Sequence, residues 1–251
     1  MQRLIRSFAL LSRHFARNSA RDWTMPRLTE VEETRLLSLG HTLTPSDSPS
    51  DCWVVYTDGS LVKRYGIKSS GISYFVHSKI GVVHLESPRR KHWLFGAKKQ
   101  NSGYTEVRGA AEALYEIAVS EEYAGENILL RTDHRETVQE MEIRIDEKKM
   151  NKRRINRAKK KSNPEKIALD APYTDLLHLV ETFPNYVTFQ HVYGHNGQVQ
   201  NDEADKLAYE AACQHPFIRW LPFKPRVTHL RADKKPEFGL KVTVKPKRMR
   251  M

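Results

Sequence analysis

Apolar residues are spaced in two alternating ways along this chain, and the switch between them predicts its elements. Residues 28–39 (LTEVEETRLLSL) carry apolar positions at helical spacing and stop at Gly40, so they predict a short amphipathic helix. The Pro-, Ser- and Asp-rich stretch 42–51 predicts a linker. From Cys52 the pattern changes: CWVVYT is a short apolar run ending at Asp58-Gly59, which predicts a buried strand that stops at a tight turn. Residues 71–77 and 80–86 are two more strand-like runs, close enough to form an antiparallel meander with the first. Residues 105–124 predict a helix, with Ala111, Leu114, Tyr115 and Ala118 on one face. NILLRTD (127–133) predicts a fourth strand, followed by a helix through Val138 and Met141. A helix at 172–183 (Leu176, Leu177, Leu179, Val180) leads to a fifth strand at 186–193. The last helix is predicted at 201–213, with Asn201 as its N-cap and Leu207, Ala208, Ala211 and Ala212 facing inward. Three antiparallel strands extended by helical crossovers imply an α/β fold. Its five-stranded mixed sheet would combine the antiparallel strands with parallel additions and carry helices on both faces.

Charge divides the chain further. Of 42 Lys and Arg and 30 Asp and Glu, three segments hold 25 bases and 5 acids: residues 1–24, 147–166 and 223–251. The remainder has 17 bases and 25 acids, so a mildly acidic body carries three basic appendages. The first appendage has Leu4, Ile5, Phe8, Leu11 and Phe15 at helical spacing, four arginines mostly off that face and no acid before Asp22. This is the pattern of a mitochondrial presequence, which predicts a mature chain starting near residues 18–25 and a matrix location. Residues 25–51 are then a short helix and linker, 52–215 the folded body with a basic protrusion at 147–166, and 216–251 a basic C-terminal tail. Cys52 and Cys213 form neither a disulfide framework nor a metal-ligand spacing. No window approaches the ~18 consecutive apolar residues of a membrane-spanning helix.

Acidic residues fall where metal chemistry can use them. Hydrolysis of a phosphodiester with divalent metal needs hard oxygen ligands converging from separate elements. Asp58 ends the first predicted strand and Asp133 the fourth. Adjacent strands run about 4.8 Å apart, so two such aspartates can share an ion. Asp205 lies four residues after Asn201 on one face of the last helix, and His195 sits in the Gly194–Gly197 loop before it. Each feature alone has an ordinary explanation as a turn, a cap, a solvated acid or a loop histidine. Their order on these elements is what carries information.

That order resembles the ribonuclease H family over roughly residues 52–215, and specifically its type 1 branch, which cuts RNA–DNA hybrids. The family's Y-T-D-G-S strand matches Tyr56–Ser60, its T-D-S motif matches Thr132-Asp133-His134 with His for Ser, and its G-H-x-G-x-x-x-N-x-x-x-D-x-L-A motif matches Gly194, His195, Gly197, Asn201, Asp205, Leu207 and Ala208. The resemblance implies Asp58, Asp133 and Asp205 as metal-binding acids and His195 as the proton carrier. For the remaining acid, an ungapped alignment on Arg108 points to Ala110, whereas an alignment on Ala-Glu points to Glu112. Two helix positions differ by about 200° in direction, so only one alignment can hold. We assign Glu112, with a bulge at Gly109 resetting the helix. Glu106, one turn before Ala110, is the third alternative.

The resemblance further implies two Mg²⁺ ions, replaceable by Mn²⁺, and RNA-strand hydrolysis leaving 5′-phosphate and 3′-hydroxyl ends. Gly59, Ser60 and Asn201 would contact nucleic acid beside the metals. In the basic run, Lys148, Lys149, Lys152, Arg153, Arg154, Arg157, Lys159, Lys160 and Lys161 are placed to hold phosphates of the hybrid. The basic tail offers a contact to mitochondrial RNA or a ribonucleoprotein. Residues 25–51 hold only Arg27 and Arg35 as bases, which predicts no N-terminal hybrid-binding module. The competing reading is a catalytically inactive fold of this type kept as an RNA-binding or structural component of a mitochondrial particle.

Overall fold

The computed structural model describes residues 25–39, 44–46, 48–64, 67–77, 90–94, 102–146, 150, 170–195, 198–213 and 238–246. Its strands are β1 (Cys52–Arg64), β2 (Ile67–His77), β3 (Arg90–Leu94), β4 (Asn127–Thr132), β5 (Val187–Val192) and β6 (Phe238–Val244). Its helices are α1 (Glu30–Ser38), α2 (Ser102–Val119), α3 (Arg135–Ile145), α4 (Asp170–Thr182) and α5 (Val199–Cys213). They build one sheet in the order β3-β2-β1-β4-β5-β6. The pairs β1–β2 and β2–β3 are antiparallel, whereas β4 runs parallel to both β1 and β5. This is the mixed sheet that the sequence implies, with a sixth strand added.

Several boundaries depart from expectation. The predicted strand at 80–86 lies outside the described residues, and the third strand is Arg90–Leu94. Asp58-Gly59 does not end β1. The strand continues to Arg64 because β2 pairs with it throughout, from Val54 opposite His77 to Arg64 opposite Ile67. A Thr-Asp-Gly stretch can stay extended when a ladder partner satisfies its backbone. Within the C-terminal tail, β6 pairs antiparallel with β5 and buries Val242 and Val244.

One face of the sheet holds the main core. Trp53, Val55, Ile128, Leu130, Val187 and Phe189 meet Val107, Leu114 and Ile117 of α2 and Leu176 and Val180 of α4. Trp53, Tyr123 and Phe183 stack edge to face through it, with centroids 5.8 and 5.6 Å apart. On the opposite face, Ala204 and Leu207 of α5 cover Val54 and Tyr56. Helix α1 begins at a capping box between Thr29 and Glu32 and buries Leu36 in the main core. Its Arg35 reaches the end of α2, donating to the carbonyls of Ala118 (2.8 Å), Ser120 (2.5 Å) and Tyr123 (3.0 Å). These hydrogen bonds hold α1 to the last turn of α2 and to the turn that follows it. Thus α1 and β6, both outside 52–215, pack on that body. Among the described residues, no helix is long and apolar enough to cross a membrane.

Candidate active site

Register sets the first two acids side by side. Thr57 of β1 pairs with Thr132, the last residue of the parallel strand β4. Asp58 and Asp133 are each the next residue, so their Cα atoms leave the ladder together at its edge. The third acid comes from the helix that crosses this edge. Carboxylate oxygens of Asp58, Glu106 and Asp133 lie within 4.8 Å of one another.

Two glycines permit this approach. A Cβ on Gly59 would stand 2.5 Å from the Thr105 carbonyl carbon and 2.6 Å from the Glu106 nitrogen, so α2 touches β1 backbone to backbone here. A Cβ on Gly194 would stand 2.6 Å from the Asp133 Oδ2, so that carboxylate rests directly on the glycine after β5. In both cases glycine is required for space rather than for backbone conformation.

Glu106 is the strained member of the trio. It accepts a hydrogen bond from the Gly59 backbone, while its buried Oε2 has no partner. Burial, reinforced by the neighbouring Asp58 and Asp133 carboxylates, pushes its carboxyl well above the usual carboxylate range. A cleft of about 500 Å³ opens over the trio, and Ser60, His195 and Asp205 also line it. Asp205 comes from the second turn of α5 and stands outside the tightest group. His195 adopts φ 57°, the left-handed region rarely used by a residue with a side chain, and its buried Nδ1 has no hydrogen-bond partner.

The sequence-derived assignment of Glu112 to this cluster is corrected by the course of α2. The helix is regular from Ser102 to Val119, with Gly109 packed against the Asp58 carbonyl inside it and no bulge to reset the register. Six residues separate Glu106 from Glu112, which is about 9 Å along the axis and 240° around it. Glu112 is instead buried in an ion pair with Arg108, one turn earlier. Ala110, where the ungapped alignment points, is packed in the main core. The helix starts three residues before the predicted Thr105, so Glu106 falls in its second turn. That start is the local signal that favours Glu106.

The other predicted residues are placed as follows. Asp58, Asp133, His195, Asp205, Gly59 and Ser60 come together around the cleft. Asn201 does not cap α5, which begins at Val199; it is buried within the first turn, and its Oδ1 is unpartnered. His134, in place of the family's serine, turns inward to share a 2.8 Å hydrogen bond with Thr137, and burial pushes its pKa down. The basic run from Lys148 to Lys161 lies outside the described residues apart from Met150, and so do residues 1–24.

The RNase H family model matches residues 50–213, and the chain belongs to that family. Solved structures similar to it include RNase H1 from the halophilic archaeon Halobacterium salinarum. That match has 19% identity and a TM-score of 0.41, covering 63% of this chain and 96% of that one. The N-terminal RNase H domain of a Mycobacterium tuberculosis protein gives 17% identity and a TM-score of 0.42, covering 64% of this chain and 94% of that one. LC11-RNase H1, isolated from compost and solved in complex with an RNA/DNA hybrid, gives 18% identity and a TM-score of 0.43, covering 64% of this chain and 96% of that one. No curated protein matches the chain.

Proposed function

We propose that this protein is a metal-dependent endonuclease that hydrolyses the RNA strand of RNA–DNA hybrids. The observation that carries the reading is the convergence of Asp58, Glu106 and Asp133 within 4.8 Å, from a strand, a helix and the residue that follows a second strand. The donor set fits Mg²⁺ or Mn²⁺, because it is all carboxylate oxygen and includes one buried oxygen, Glu106 Oε2, without a partner. Three acids so close repel one another unless a cation or a proton sits between them. Asp58, Glu106 and Asp133 would hold the ions, with Asp205 completing the set from α5. When bound, such ions lower the pKa of a water and stabilise charge on the scissile phosphate.

The chain's own residues do the rest. The two aspartates sit on a rigid strand edge and fix the position of the site. Glu106 acts as a ligand only as the carboxylate. His195, which lines the cleft with Nδ1 unpartnered, would carry a proton near the leaving oxygen. Gly59 and Ser60 bring backbone and hydroxyl groups to the cleft wall, where contact with 2′-hydroxyls distinguishes RNA from DNA. Asn201 stands in the first turn of α5, beside the cleft residue Asp205. The basic run 148–161 would hold phosphates of the hybrid. The arginine-rich first 24 residues support placing the protein in the mitochondrial matrix.

The competing reading, an inactive RNA-binding component, draws on the doubtful second acid and on the basic tails. The nearness of Glu106 to Asp58 and Asp133 supports the enzyme reading over it. The test is incubation of purified protein with end-labelled RNA–DNA hybrid, RNA duplex and DNA duplex in Mg²⁺. We expect cuts in the RNA strand of the hybrid alone, 5′-phosphate ends, and abolition by EDTA. Intact hybrid after incubation with folded protein in Mg²⁺ and in Mn²⁺ would overturn the reading.

A further inference from the structure

The sixth strand lies beyond the span matched by the family model, yet it reaches the neighbourhood of Asp133. Its ladder with β5 is irregular at one point. Gln190 pairs with Lys241 and Val192 with Phe238, so two β6 residues, Gly239 and Leu240, stand opposite the single residue His191. Such a bulge re-aims the side chain it faces. A Cβ on Gly239 would lie 2.5 Å from His191 Nδ1 and 3.5 Å from Tyr193 Cε2, so the imidazole is seated on bare backbone. Tyr193 packs against the imidazole, the two rings edge to face with centroids 4.9 Å apart. From this seat His191 Nε2 reaches the backbone carbonyl of Asp133 at 3.2 Å. A carbonyl oxygen only accepts, so Nε2 carries the hydrogen.

Asp133 is the residue that needs such a hold. It follows the last ladder residue of β4, and its carbonyl is otherwise bonded to the Arg135 nitrogen in the adjacent turn (3.1 Å). Its carboxylate rests on Gly194, two residues after His191's neighbour Val192. His191 thus ties the backbone of Asp133 to β5, and β6 ties His191 in place. The anchor is firm, because β6 buries Val242 and Val244 and its Thr243 hydroxyl bonds Thr188 of β5 at 3.0 Å.

We propose that the C-terminal strand is part of the support of the metal site: through Gly239 it seats His191, a positioning residue that holds Asp133 at the geometry a divalent cation requires. This rests on the reading of Asp133 as a metal ligand. Partners of this kind, which orient ligands without touching the ion, typically change metal affinity by about 10–100-fold when removed.

The experiment compares wild type with His191→Leu, which removes the donor at similar size, His191→Gln, which keeps an N–H near the Nε2 position, and Gly239→Ala, which fills the seat. Mn²⁺ affinity is measured by electron paramagnetic resonance without substrate. The Mg²⁺ concentration for half-maximal hybrid cleavage, hybrid affinity in EDTA and the melting temperature are measured alongside. We expect His191→Leu and Gly239→Ala to weaken Mn²⁺ binding and raise the Mg²⁺ requirement by about tenfold or more. Hybrid affinity in EDTA should stay unchanged and His191→Gln should recover part of the loss. If Gly239→Ala does not fold, His191→Leu alone decides. A wild type that binds Mn²⁺ and cuts, with His191→Leu equal to it in both, would overturn this inference and leave the proposed function intact. A wild type that binds no Mn²⁺ would remove both.

Discussion

Replacing Gly59 by alanine tests whether the backbone contact between β1 and α2 sets the acidic cluster. The added Cβ would stand 2.5 Å from the Thr105 carbonyl carbon and 2.8 Å from its oxygen, against helix backbone that cannot rotate away. Carbon atoms settle near 3.5 Å, so the start of α2 must retreat by roughly 1 Å. Overpacking of this kind costs about 1–3 kcal/mol of stability, which a fold of this size can absorb. The functional cost falls on Glu106, which is the next residue and moves with the helix. A misplacement of about 1 Å at a reacting centre can lower the rate about 100-fold. Cleavage of labelled hybrid over a Mg²⁺ titration should therefore show a lower maximal rate and a raised metal requirement, while melting shows a folded protein. Wild-type rate and wild-type metal requirement in Gly59→Ala would refute the argument that this close approach positions Glu106.

Glu106→Gln should lower hybrid cleavage by at least ~100-fold, beyond the range typical of residues that only support a ligand. Glu112→Gln should leave the metal requirement unchanged and show its cost in the melting temperature, since its partner is Arg108. In EDTA, Glu106→Gln should also be the more stable protein at alkaline pH. The native carboxyl of Glu106 is held above its ordinary value of 4.5, so the stability its proton contributes is present below that value and is lost as pH rises through the native one. Melting curves across pH should show the advantage of Glu106→Gln shrinking as the solution is acidified, and a variant less stable than wild type at alkaline pH would contradict this. Arg35→Ala removes a charged donor from three carbonyls at the end of α2 and should cost about 2 kcal/mol without changing cleavage. An unchanged melting temperature would show that α1 contributes nothing to the body it packs on.

The sequence makes the strand edge of the site legible because the residues there are constrained twice, by burial and by chemistry. Val54, Val55 and Tyr56 announce β1, Leu129 and Leu130 announce β4, and the aspartates follow each run. Asp205 and His195 are legible through their spacing along one loop and one helix. Glu106 is harder to read, because helix α2 is buried on most of its circumference, from Val107 through Ala113 to Ile117. An apolar register distributed that widely does not say which acid faces the sheet edge. The packing of Gly59 against Thr105 does, and no linear pattern encodes it. The end of β1 is misread for a related reason: Asp-Gly favours a turn locally, but the long β2 ladder outweighs that preference. Strand β6 has a readable signal in Leu240, Val242 and Val244, which alternate with Lys241 and Thr243. The surrounding prolines and lysines hide it, because they resemble a solvated tail.

If Asp58, Glu106 and Asp133 form the cation site of a hybrid-cutting enzyme, Asp133→Asn must disable it. The substitution keeps the shape of the side chain against Gly194 and removes one charge from the cluster. Mn²⁺ affinity, hybrid affinity in EDTA and RNA-strand cleavage should be measured on the same preparations of wild type and variant. Both proteins should bind hybrid tightly in EDTA, whereas Mn²⁺ binding and cleavage should be present in wild type and lost in the variant. Cleavage by Asp133→Asn at the wild-type rate and the wild-type Mg²⁺ requirement would contradict this assignment.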